Sequence, residues 1–242
     1  MAGTVGNAGP AMDEQIKKGP DMPGEATADS YAWITHERYA GLRISGFSVI
    51  FVRDRDSASL LGALDLRTPV DVASMLTPGG PFIASVHAHP AGTITVERGG
   101  YMGALHPIME SLSTGAAAAG VSRTFETDVY FAYAENGEVI SAFTIDDPAT
   151  RRGRSPDTIA AHIADLGFPT FDDDLEEDEN EDEEEDIYAA TPGKRQLALC
   201  CALALATRLT GLRLTEDLLA TQVPRYPTSS LYSAGGVATP AI

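Results

Sequence analysis

Cysteine is nearly absent from this chain of 242 residues: there are two, Cys200 and Cys201, adjacent in sequence. With no partner elsewhere they exclude a disulfide framework and a four-thiolate zinc site, and they fit a reducing, cytoplasmic setting. Long apolar runs are also lacking. The longest, residues 197–206, has ten residues, against the ~20 that cross a bilayer. It reads as a buried helix, and no membrane partner is expected. Residues 1–29 show neither the basic stretch nor the apolar stretch of ~7–15 residues that a secretory signal requires. Positive charge is scarce too, with 17 Lys and Arg against 35 Asp and Glu, for a formal net charge of -18. A protein that binds nucleic acid by counterion release needs a basic face, so no nucleic-acid partner is expected. No G-x-S-x-G elbow, G-x-x-x-x-G-K-[ST] loop or G-x-G-x-x-G after a strand occurs, which leaves nucleotide-fold chemistry unsupported and no cofactor implied.

What is abundant is acid, and it is concentrated. Residues 172–186 read DDDLEEDENEDEEED, with 13 acids and no base. The rest of the chain then holds 22 acids against 17 bases, a balance of only -5. A block of like charges repels itself and is normally solvated. Its active alternative is docking of a basic protein partner, with Asp178, Glu179, Glu183, Glu184 and Glu185 as the contact residues. The basic counterpart in sequence is Arg151-Arg152-Gly153-Arg154, just ahead of a helix start, where either phosphate or the acidic run could sit.

Residues 47–52, FSVIFV, are a short apolar run rich in β-branched residues and bounded by Gly46, the pattern of a buried strand. Asp56 or Ser57 can cap a helix over 58–66, and 70–76 reads as a second short helix. A strand over 82–88, a turn at His89-Pro90-Ala91-Gly92 and a strand over 93–97 follow. Leu105, Ile108, Met109 and Leu112 make one helical stripe. The run AAAAG ending at Gly120 either closes that helix loosely or links it to the next strand. In residues 128–145, Asn136-Gly137 marks a two-residue hairpin. Pairing residues whose numbers sum to 273 puts Val129, Phe131, Tyr133, Ile140 and Ala142 on one face. Tyr130, Ala132, Ala134, Val139, Phe143 and Ile145 take the other. Neither face is polar, so both sides of this hairpin should be covered. Ser155-Pro156-Asp157 starts a helix that ends at Gly167. An Ala/Leu helix over 194–209 and a short one over 216–221, capped by Thr215, would fold back as a hairpin over the second face.

The expected architecture is therefore α+β: an antiparallel sheet with packed helices and a C-terminal helical hairpin covering the second face. It divides into a disordered tail over 1–29, a core over 30–170, the acidic insertion over 171–190, the helical hairpin over 191–224 and a disordered tail over 225–242.

Candidate chemistry is sparse. His87-Ala88-His89 has metal-ligand spacing, because residues i and i+2 of a strand share a face. The tetrapeptide HAHP resembles the His-x-His-Pro core of JAMM-type metalloproteases. Those enzymes add a serine and then an aspartate after the proline, and the corresponding positions here hold Arg98 and Tyr101. Half of such a site is missing, and Glu97 should face away from His87. A metal-dependent hydrolase at His87 and His89 is thus the alternative to a non-enzymatic interaction or regulatory protein. A third possibility, a small-ligand binder using Tyr31, Trp33, Tyr130 and Phe143, is not separable in sequence from core packing.

Several features recur in order: Tyr31-Ala32-Trp33; a strand and helix at 47–66; GTITVE at 92–97 followed by Gly99-Gly100-Tyr101; YFAYAENG at 130–137 running on to Phe143. Arg151 to Gly153 ahead of a capped helix and ALATRLTG at 204–211 with Leu214 complete the series. Over roughly 30–222 this pattern resembles the domain-of-unknown-function family numbered 6461, common in actinobacteria. That resemblance implies no established activity and no catalytic residues. The acidic insertion is longer than the pattern implies.

Overall fold

The computed structural model describes residues 25–40, 45–70, 82–124, 128–171 and 191–233. The apolar run at 47 becomes β1 (Phe47–Arg53), the middle strand of a seven-stranded antiparallel sheet. Its neighbours are β3 (Gly92–Arg98) and β4 (Ala117–Arg123). Outward from β3 lie β2 (Ile83–His89) and β7 (Arg225–Pro227), and outward from β4 lie β5 (Val129–Glu135) and β6 (Glu138–Thr144). Six of the seven β1 residues are buried, which is why this strand shows a continuous apolar run and no alternation.

One face of the sheet carries Val49, Phe51, Ile94, Val96, Ala119, Val121, Phe131 and Phe143. It is covered by α4 (Thr191–Thr210), whose residues Ala198 to Cys200 and Ala202 to Ala206 join the same cluster. Behind α4 pack the 3-10 segment Ala28–Thr35 and α3 (Ala160–Leu166). Burial from both sides accounts for a helix that is apolar all round. The phenol of Tyr31 bonds Thr207 at 2.5 Å and receives the Leu214 amide at 3.3 Å, and burial pushes it up to about 12. The Arg208 guanidinium reaches the Ala26 carbonyl and the Asp165 carboxylate. The opposite face carries Ile50, Val52, Ala84, Val86, Ala118, Ala132 and Ala134. There α1 (Ser57–Ala63) contributes Leu60 and α2 (His106–Ser113) contributes Ile108, Met109 and Leu112. The Asp56 carboxylate caps α1 by accepting the Ser59 amide at 2.7 Å, and Thr215 caps α5 (Glu216–Ala220) on the Leu218 amide.

The structure corrects four expectations. The AAAAG run is neither a helix end nor a linker: from Ala117 on it is the start of β4, beside the central strand. The Asn136-Gly137 turn is present, with φ of 51° and 85°, but the hairpin keeps the expected register only for Glu135↔Glu138 and Ala134↔Val139. A bulge at Tyr133/Ala134 then pairs Phe131 with Phe143 and Ala132 with Ala142. One extra residue exchanges the faces of everything beyond it, so Phe143 and Ile145 join Phe131 under α4 and Ala142 turns to the other side. Residues from 225 are not an unstructured tail as far as 233: Arg225–Pro227 is the edge strand on β2, and α6 (Ser229–Ser233) follows. Finally, Ser155 makes no cap bond, and the segment opens as a 3-10 turn, Pro156–Ile159, before α3. The short helix expected over 70–76 lies outside the described residues apart from Val70, which is not helical.

Residues 152–155 lie along the outer edge of β6. Ala142 and Arg152 exchange two backbone bonds of 2.7 and 2.8 Å, and the amides of Arg154 and Ser155 donate to the Val139 and Ile140 carbonyls.

Candidate functional site

Strand alternation puts Thr93, Thr95 and Glu97 on the α2 side of β3. The register then lines up Ser122, Ser48, Glu97, Ala84 and Tyr226 in one row across five strands. Glu97 is fully buried in that row. Its carboxylate accepts the Met102 amide at 3.1 Å and the Tyr232 hydroxyl at 2.6 Å on Oε2, and the Thr228 hydroxyl on Oε1. Two further amides of the same loop are held beside it: Gly103 donates to Ser48 Oγ at 2.8 Å, and Tyr101 donates to the Tyr232 hydroxyl at 2.9 Å. Ser122 donates to Ser48 at 2.8 Å. The loop lies this close because Gly120 has no side chain; a Cβ there would run into the Gly103 backbone. Burial pushes the Glu97 carboxyl above its ordinary range, while its three hydrogen bonds pull the other way. Burial and Glu97 together raise the Tyr232 phenol. Three donors on one buried carboxylate explain it as the anchor of a loop and of the C-terminal strand and helix.

His87 and His89 share the opposite face of β2, with His87 paired to Ile94 on the α4 side, so Glu97 does face away from them. His87 is 3% exposed and its Nε2 lies 2.9 Å from Ser85 Oγ. His89 Nδ1 accepts the Ala91 amide at 3.2 Å. Burial lowers both imidazoles, and Arg225 adds to the effect at His87. Among the described residues no group of three or more His, Cys, Asp or Glu could hold a metal ion.

Two arginines of the basic knot are occupied within the fold. Arg151 holds Asp157 at 2.5 Å and the Pro148 carbonyl at 3.1 Å, and Arg154 pairs with Glu138. The Arg152 side chain is exposed. Asp178, Glu179, Glu183, Glu184 and Glu185 lie outside the described residues. Of the four aromatics, Tyr31 and Trp33 are in ring contact at 6.4 Å, and each of the four has a further partner of its own. Tyr31 is bonded to Thr207, Trp33 packs edge-on against Tyr39, Phe143 packs against Phe131, and Tyr130 reaches Asp128. The two thiols are buried in α4 and pushed up, Cys200 to about 12 and Cys201 to about 11, by the loss of water around them.

The family of unknown function DUF6461 matches residues 82–228, which is 147 of the 242 residues. The chain belongs to this family. No curated protein and no solved structure matches it. The DUF6461 match spans β2 to β7 and so contains Glu97 and Thr228, whereas Ser48 on β1 and Tyr232 on α6 lie outside it. It begins later than the resemblance over 30–222 and ends six residues further on.

The DUF6461 segment also contains a cleft of about 640 Å³ between the turn after β6 and the end of α3. Asp146, Asp147 and Pro148 line one side, and Ile163, Phe168 and Phe171 the other. Phe168 is fixed from behind by an edge-on contact with Phe143 at 5.9 Å. Burial raises the Asp146 carboxyl, Arg195 opposes that shift and Asp128 adds to it. The sequence offered no signal for this cleft, because its walls come from a turn and a helix end with no motif of their own. No helix among the described residues is long and apolar enough to cross a membrane.

Proposed function

We propose that this DUF6461 chain is a non-enzymatic interaction or regulatory protein, and that its acidic segment, residues 172–186, docks a basic protein partner. The observation that carries this reading is the contrast in charge. Thirteen acids stand in fifteen residues with no base among them, while Arg151 and Arg154 of the nearest basic knot already hold Asp157 and Glu138. A concentrated negative segment raises the encounter rate with a basic surface and makes the affinity dependent on salt. The buried ionisable groups support the same reading, since Glu97 and His87 are engaged by neighbouring hydroxyls and amides. The described residues that flank the acidic segment are tied to each other, since Lys194 Nζ in α4 bonds the Thr170 carbonyl at 3.2 Å. Removal of the segment should therefore spare the sheet.

Affinity capture with the intact chain and with a chain lacking 172–186, at low and moderate salt, tests the reading. A basic protein retained by the intact chain, released by moderate salt and not retained by the shortened chain supports it. Identical capture by both chains, or no specific partner for either, overturns it. Folding of the shortened chain is checked by its thermal unfolding, which should match that of the intact chain.

A further inference from the structure

The walls of the cleft between the β6 turn and α3 combine two properties that define a ligand class. Pro148, Ile163, Phe168 and Phe171 give it an apolar part, and Asp146 and Asp147 place two carboxylates on one side. Its volume of about 640 Å³ falls within the roughly 300–1,000 Å³ of small-molecule sites. Asp147 spends one oxygen on the Ala149 amide at 3.2 Å. The Asp146 side chain is half-buried at the cleft; one of its oxygens, Oδ1, is enclosed and has no hydrogen-bond partner, so its charge is not neutralised by a direct bond within the fold.

We propose that this cleft binds a small organic cation, an amine or guanidinium carried on an apolar or aromatic body, with Asp146 as the charge partner and Phe168 and Phe171 against the body. The sign follows from the neighbours. Asp128, Asp146 and Asp147 surround the turn, and Arg195 is the cation whose field reaches Asp146. Arg151, behind Pro148, is already held by Asp157. An anion would meet two carboxylates, whereas an amine gains a charge-assisted hydrogen bond in a partly desolvated site and the face of an aromatic ring. Phe168 is held by Phe143 and the Asp147 side chain by the Ala149 amide, so these two walls are ordered before the ligand arrives. Every lining residue lies outside 172–186, so this site stands or falls separately from docking by the acidic segment.

The test is amide-resolved NMR titration of the full chain with 2-phenylethylamine and, as controls of equal shape, 2-phenylethanol and 3-phenylpropionate, up to about 10 mM, where even weak binding registers. The amine should give saturable shifts at residues 146–149 and 163–171, and the carboxylate should give none there. Asp146→Asn keeps the shape of the side chain and should weaken the amine about tenfold, the effect of one hydrogen bond to a charged group. Ala164→Trp, at an exposed position of α3 on the rim of the cleft, should abolish the shifts while leaving the fold intact. Equal shifts with amine and carboxylate, unchanged affinity in both variants, or no saturable shift at these residues would each overturn the proposal. Amine binding that survives both substitutions but disappears on deletion of 172–186 would assign the cation to the acidic segment and also overturn it.

Discussion

The face of the sheet beneath α4 is closed by apolar side chains, whereas the opposite face is closed in part by a loop whose amides reach down to a carboxylate and a serine. On the first face, Phe51, Phe131 and Phe143 meet a helix of Ala, Leu and Cys, and stability follows from area removed from water and from close packing. On the second, Glu97 and Ser48 take the amides of Met102 and Gly103, and Thr228 and Tyr232 bring the C-terminal residues to the same carboxylate. The first face tolerates changes that conserve volume. The second depends on donors and acceptors being matched one for one, so the loss of an acceptor there should cost more than the loss of one methyl group.

The largest effect should come from the apolar face. Phe131 is 1% exposed and stacks on Phe143 at 5.0 Å, so Phe131→Ala should lower the unfolding free energy in urea by about 4 kcal/mol. Next, Glu97→Ala removes the acceptor of three donors and should lose about 3 kcal/mol. Glu97→Gln, which keeps an acceptor and can donate to Thr228, should lose about 1 kcal/mol. Equal losses for the two Glu97 variants would mean that the carboxylate fills space and does not anchor the loop.

The faces should also differ in the sign of their pH dependence. Glu97 has a raised folded value, so its contribution is complete below the unfolded range near 4.3 and declines as pH rises through the folded value. His87, on the α4 side, has a lowered folded value; its contribution is complete above about 6.5 and declines as pH falls through the folded value. Stability relative to Glu97→Gln should therefore fall as pH rises, and stability relative to His87→Gln should fall as pH drops. Parallel slopes for the two variants would contradict the contrast. The smallest effect belongs to neither face. Arg154 and Glu138 form an exposed pair at the β6 edge, and Arg154→Ala should change stability by less than about 0.5 kcal/mol.

Much of the apolar face was legible in the chain itself. FSVIFV is β-branched and aromatic, Asn-Gly fixes the hairpin turn, and the absence of a polar face on that hairpin correctly required cover on both sides. The other face was harder to read because its elements carry weak local signals. β4 begins AAAG, and alanine and glycine have little preference for strands; the glycine stands there because the loop at Gly103 needs room above Gly120. β7 has three residues and a proline, which suits an edge but gives no apolar run. The register beyond the bulge followed from packing of Phe131 on Phe143, a contact the turn alone does not encode. Glu97 was visible as an odd acid at the end of GTITV, yet its partners lie five and more than 130 residues away. His87 and His89 do share one strand face, as their spacing required.

The strip of chain at 152–155 has a consequence for how this molecule meets copies of itself. An outer strand with unused amides and carbonyls is a template on which another chain can add. Here β6 spends those groups on Arg152, Arg154 and Ser155, and the opposite outer strand is only three residues long and ends in Pro227. The strip can lie so near because Gly153, at φ 140°, offers no side chain to the Ile140 carbonyl. In the knot Arg-Arg-Gly-Arg it is thus the backbone, ahead of the charges, that covers the outer edge of β6.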